Sequence, residues 1–199
     1  MFLSLNSNFT FNWFHHFKRS SIKISYSSSF SFNQKFLFSH SLITGIQICE
    51  LHTTKWQQLP EPIVSRLNAT ICAAKNNTCY LIGGKDPMTL NLLKSVEYFD
   101  GTKWNVLPCM NRGHTSIVAV WHKKRLFVFS YLSEIFDGQV WKKIADIPLI
   151  CCDQHSVYDN EIYLYSNDGY LFVYNILTDK WNSCERSPLN LTIGLKQCS

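Results

Sequence analysis

Short apolar runs separated by turn-forming residues fill most of the chain, and the 3.6-residue spacing of an amphipathic helix is hard to find. The clearest block is TCYLIGGKDPMTLNLLKSVEYFDGTKWNVLP, residues 78–108. Its apolar run 78–82 stops at Gly83-Gly84. A second β-rich run, 96–99, leads into Asp100-Gly101, a strong hairpin signal. Residues 104–107 open on Trp104 and end at Pro108, and residues 69–74 supply a fourth strand ahead of the block. Four short antiparallel strands bury too little apolar surface to stand alone, so the pattern predicts a repeated unit.

The repeat is visible in the tryptophans. Trp56, Trp104, Trp141 and Trp181 follow one another at spacings of 48, 37 and 40 residues. Ahead of the last three stands an aromatic residue and a turn: Tyr98-Phe99-Asp100-Gly101, Phe136-Asp137-Gly138, and Tyr174-Asn175. Four strands per period of about 40–50 residues is the signature of a propeller blade. A double glycine after the second strand (Gly83, Gly84), then a Tyr (Tyr98) and a Trp (Trp104), resembles the kelch-repeat family. Ser130-Tyr131 and Ser166-Asn167 stand where the later units would carry the glycine pair.

The resemblance covers residues 46–199 and implies an all-β fold. The expected architecture is a partial kelch-type β-propeller of about three four-stranded blades plus flanking part-blades. The blades are placed at approximately 65–108, 111–147 and 149–187. Residues 46–51 with Trp56 read as the last two strands of a blade whose first two are missing, and Ser187-Pro188 opens a further unit. Rings of this kind close with about six blades. The chain therefore reads as a fragment whose open blade faces favour self-association.

Composition separates residues 1–45 from the rest. They hold nine of the 14 phenylalanines, many serines and no repeat landmark, and read as a low-complexity, disordered extension. Their apolar residues come in ones and twos, without the roughly 20-residue run that crosses a membrane or the unbroken apolar centre of a secretory leader. Of the net charge of +5, four units come from Lys18, Arg19, Lys23 and Lys35. The repeat region is thus nearly neutral, which argues against a nucleic-acid surface.

Candidate chemistry changes this picture little. The eight cysteines include no C-x-x-C pair and lie mostly in or beside apolar strands, where free cysteine behaves as a small hydrophobe in a reducing cytoplasm. His114, His122 and His155 lack metal-ligand spacing, and Cys151-Cys152 beside His155 reads as structural. No catalytic residue, metal or cofactor is expected, and the chain is not expected to be an enzyme. Arg66 and Arg112, in Arg66-Leu-Asn-Ala-Thr-Ile and Arg112-Gly-His-Thr-Ser-Ile, are the candidate partner-binding residues. In kelch-like ubiquitin-ligase adaptors, arginines resembling these face a central pocket and bind acidic segments, a task suited to the bidentate guanidinium. The resemblance thus implies a substrate-recruiting module of a cullin-3 adaptor, whose partner is a ubiquitination substrate. The alternative is an actin-binding cytoskeletal kelch protein.

Overall fold

The structure, a computed structural model, describes residues 29–32, 36–41, 45–75, 77–115, 117–148, 152–166 and 169–183. The expected extension over residues 1–28 and the further unit opened by Ser187-Pro188 lie outside the described residues. Among the described residues, sixteen strands form four antiparallel sheets of four, each in simple chain order. The first contains β1 (Ser29–Phe32), β2 (Phe36–Ser41), β3 (Gly45–Glu50) and β4 (Lys55–Gln58). The second contains β5 (Thr70–Ala73), β6 (Cys79–Ile82), β7 (Val96–Phe99) and β8 (Trp104–Leu107). The third contains β9 (Val118–His122), β10 (Arg125–Phe129), β11 (Glu134–Phe136) and β12 (Trp141–Lys143). The fourth contains β13 (Cys152–Tyr158), β14 (Glu161–Ser166), β15 (Leu171–Asn175) and β16 (Lys180–Ser183).

The first sheet corrects the boundary drawn at residue 45. Its β3 and β4 do not lack partners: β1 and β2 lie inside the segment assigned to the extension and complete the sheet. The reason is legible in hindsight. Ser29-Phe30-Ser31-Phe32 alternates at the two-residue period of a strand, but serine is small and has weak strand preference, so the run resembles low-complexity sequence.

Turn chemistry sets the hairpins between third and fourth strands. Asp100 Oδ1 accepts the amides of Thr102 and Lys103, Asp137 Oδ1 those of Gln139 and Val140, and Asn175 Oδ1 those of Leu177 and Thr178. One Asx-type turn thus recurs three times. It holds the Asp100 and Asp137 carboxyls below the usual carboxylate range, with the hydroxyl of Thr102 and the ammonium of Lys142 as the first causes.

The sheets stack face to face, with first strands adjacent: β1 lies against β5, β5 against β9, and β9 against β13. The Ala73 amide donates to Ser31 Oγ at 2.8 Å, tying β5 to β1. Alternation sends neighbouring side chains to opposite interfaces. Ile71, Leu81, Phe99 and Trp104 pack with Ile46 and Ile48 of the first sheet. Cys72, Tyr80, Ile82 and Val96 pack with Ala119, Val128, Phe136 and Trp141 of the third. Phe127 and Phe129 pack with Ile162, Leu164, Phe172 and Tyr174 of the fourth. Each large apolar side chain buried this way contributes about 1.5–3 kcal/mol, so the stacking of sheets supplies what one sheet cannot.

Candidate functional site

The functional surface of such a stack depends on the segments that link one sheet to the next, so the junctions come first. In all four sheets the tryptophan faces the same third-strand position: Cys49–Trp56, Phe99–Trp104, Phe136–Trp141 and Tyr174–Trp181. Trp104 Nε1–H donates to the Pro60 carbonyl at 2.8 Å, Trp141 to Pro108 at 2.7 Å, and Trp181 to Ala145 at 3.0 Å. Each acceptor lies four residues after the tryptophan of the preceding sheet. The regular Trp spacing is therefore a chain of inter-sheet hydrogen bonds as well as a packing pattern.

A second device reinforces the first two junctions that sit around sheets two and three. Glu97, on β7, is fully buried and accepts the amides of Ile63 and Val64 at 2.6 and 3.0 Å. Glu134, at the matching position of β11, accepts the amides of Asn111 and Arg112 at 3.0 and 3.2 Å. Register confirms the match, since Glu97 pairs with Leu81 and Glu134 with Val128 at corresponding places. Link amides are loop groups that would otherwise face burial without partners, so a carboxylate here satisfies two at once.

Arg66 does not line a pocket. Its side chain is fully enclosed, with Nη2 2.5 Å from Glu97 Oε1. Nη1 donates to the carbonyls of Gly83 and Ser95 at 3.0 and 2.9 Å, and Nε to that of Val64 at 3.2 Å. Burial lowers its pKa, and Glu97 opposes that shift. A guanidinium committed to three carbonyls and a buried carboxylate has nothing left for a partner. Arg112 is exposed, and its amide rather than its side chain meets Glu134. The counterpart of Arg66 in the third sheet is His114, both lying four residues before the first strand. His114 stands 3.6 Å from Glu134 Oε1 and 3.2 Å from Ser130 Oγ. Desolvation lowers its pKa, with Glu134 acting against it. The local likeness of the two arginine-containing hexapeptides placed Arg66 beside Arg112. The Glu97 and Glu134 positions, seven residues before each Trp, were the signal for the correct register.

Gly83 and Gly84 sit where these parts meet. Their φ angles are +58° and +94°. A Cβ on Gly83 would lie 2.4 Å from the His114 carbonyl oxygen, and one on Gly84 would lie 2.6 Å from that of Leu67. The Gly84 amide donates to the His114 carbonyl at 2.7 Å, crossing from sheet two to the link of sheet three. Tyr98 is half-buried and packs at a tilt against Tyr80, which meets Trp121 of the next sheet, at centroid distances of 4.9 and 5.1 Å. Trp56 is half-buried on β4.

Chemistry beyond binding finds few groups. Cys49, Cys72 and Cys79 are buried free thiols, and burial pushes Cys72 up to about 12, where it is no nucleophile. Cys109 is an exposed free thiol. Among the described residues, no group of three or more His, Cys, Asp or Glu side chains could hold a metal ion, and no helix is long and apolar enough to cross a membrane.

Stacked four-stranded antiparallel sheets, the last three locked by a tryptophan to the link before them, define a partial β-propeller. Residues 72–111 match the kelch motif model. A human protein named Kelch repeat and BTB domain-containing protein 6 is 24% identical over 156 residues, covering 73% of this chain. The match spans 22% of that relative's length. A solved structure titled "Structure of YjhT" superposes with a TM-score of 0.64 at 14% identity, over 82% of this chain and 66% of that one. Residues 72–111 thus carry a kelch motif, the chain resembles kelch-repeat proteins, and its repeats suggest a protein-interaction module.

Proposed function

We propose that this chain is the substrate-recruiting module of a cullin-3 ubiquitin-ligase adaptor, acting in the cytoplasm as a binding protein rather than an enzyme. The observation that carries this reading is the similarity, across most of the chain, to a protein whose name joins kelch repeats to a BTB domain. The junction geometry supports binding over catalysis: the buried carboxylates Glu97 and Glu134 are occupied by link amides. Of the two arginines expected to meet a partner, Arg112 alone is available for that role.

The endogenous gene product, purified with an antibody against this chain, should bring down cullin-3 together with proteins whose ubiquitination falls when it is depleted. Co-sedimentation with filamentous actin and no cullin would overturn the reading in favour of a cytoskeletal role. Self-association is a further expectation, since the side of sheet four away from sheet three presents Tyr158, 76% exposed. Light scattering on the purified chain reads it.

A further inference from the structure

The first two junctions are filled differently at equivalent positions. Ile48 and Tyr98 correspond, each standing just before the residue that faces the tryptophan. Cys79 and Leu126 also correspond, each two residues before the partner of a buried glutamate, and they face Ala73 and Trp121. Tyr98, Trp121 and Leu126 pack between sheets two and three. Between sheets one and two their places are taken by Ile48, Ala73 and Cys79. All three are smaller, and close-packed neighbours do not expand to make up the difference.

A cleft of about 370 Å³ lies at that first junction, a size in the range of small-molecule sites. Ile48, Leu59 and Phe99, all buried, form its apolar floor. Its mouth carries one charge of each sign. Glu50 and Lys55 both line it and stand directly opposite each other in the register of β3 and β4. Opposite charges placed so ordinarily pair with each other, yet among the described residues neither enters an ion pair. Glu50 is oriented instead by Thr53, whose hydroxyl donates to Oε2 at 3.2 Å and leaves Oε1 open. Lys55 meets the same hydroxyl through its backbone amide, at 3.4 Å, so its ammonium is not used there.

We propose that this cleft binds a zwitterionic α-amino acid with an apolar side chain. The ligand's ammonium meets Glu50, its carboxylate meets Lys55, and its side chain covers Ile48, Leu59 and Phe99. A simple anion would be repelled by Glu50 and a simple cation by Lys55, so a ligand carrying both charges matches the mouth. Burial of its side chain on the floor supplies the apolar gain, and an aromatic ring adds edge or offset contact with Phe99. The inference goes beyond the reading of the chain as a protein-interaction module and does not depend on it.

L-phenylalanine, titrated into the isotope-labelled whole chain and followed by NMR, tests this. Saturable shifts should centre on Ile48, Leu59 and Phe99, with a dissociation constant below about 1 mM. L-phenylalaninamide, which lacks the carboxylate, and N-acetyl-L-phenylalanine, which lacks the ammonium, should each bind at least tenfold more weakly. Glu50→Gln and Lys55→Gln should each weaken L-phenylalanine at least tenfold. Each should change by less than threefold the binding of the analogue that already lacks the matching charge. Ile48→Tyr puts the side chain of sheet two into the cleft and should abolish binding while the melting temperature stays level or rises. An unchanged spectrum, binding indifferent to both charge variants, analogues as tight as L-phenylalanine, or a folded Ile48→Tyr chain that still binds would each overturn the proposal.

Discussion

The junction between sheets two and three and the junction between sheets three and four solve one problem with different residues. At the first, Pro108 gives its carbonyl to Trp141 and, as a proline, has no amide to satisfy. The next link amides, Asn111 and Arg112, are taken by Glu134. At the second, Ala145 gives its carbonyl to Trp181 but does carry an amide. Asp179, in a hairpin two residues longer than those of sheets two and three, reaches back and accepts that amide at 2.7 Å while also accepting the Tyr174 hydroxyl at 2.8 Å. Where Glu97 and Glu134 stand, sheet four has Phe172, and where Ile63 and Asn111 donate, it has Pro148. One of the two donors has gone with the acceptor. The tryptophan bond is thus the constant part of the junction, and the carboxylate goes wherever an amide is left over.

The comparison breaks most visibly at Glu97. Glu97→Ala leaves the enclosed Arg66 charge unpaired and two link amides without an acceptor, and should cost about 3–5 kcal/mol. Urea unfolding of the purified chain measures it. A loss below 1 kcal/mol would mean that the ion pair relaxes into solvent and the junction is not rigid.

Next in size come the glycines, which the third and fourth sheets replace with Ser130 and Ser166. Neither serine adopts the left-handed backbone of Gly83 and Gly84. Gly83→Val or Gly84→Val should therefore cost roughly 1–3 kcal/mol, and thermal melts of the two variants report it. Unchanged melting temperatures for both would show that the close approach to His114 and Leu67 is not required.

Asp179→Ala should cost about 1–3 kcal/mol by stranding the Ala145 amide and the Tyr174 hydroxyl. Ala145→Pro in that background removes the stranded amide and should return part of the loss. Failure of the double variant to recover would separate the role of Asp179 from the amide it accepts.

The smallest expected effect distinguishes Arg66 from His114. The folded pKa of His114 lies below its ordinary value of 6.5, so the unfolded chain binds the proton more readily. Stability from this site is complete above about pH 6.5. It falls as the pH drops toward and through the folded pKa. Arg66 does not titrate in that window. Unfolding midpoints between pH 8 and pH 5 should decline for the wild-type chain, and less steeply for His114→Gln. Equal slopes would remove His114 from the pH dependence.

What could be read from the sequence follows the same division. The tryptophan period, the Asp100-Gly101 turn and the glycine pair are local signals, and they located the blades. Strands β1 and β2 escaped because Ser-Phe alternation looks like composition bias. Arg66 escaped for a different reason. Its role depends on Glu97, 31 residues away, and on carbonyls of Gly83 and Ser95 that no local pattern brings together. Charge on a link looks like a ligand-binding group until its partner is known to be buried beside it.

Buried third-strand carboxylates lock the links between sheets, and amide hydrogen exchange tests this lock at single residues. The amides of Ile63, Val64, Asn111 and Arg112 lie outside every strand, yet they should exchange far more slowly than open-loop amides. Glu97→Gln, which keeps the side-chain shape but turns one acceptor oxygen into a donor, should speed exchange at Ile63 or Val64 while leaving Asn111 and Arg112 protected. Open-loop exchange at all four positions in the unaltered chain would contradict the account.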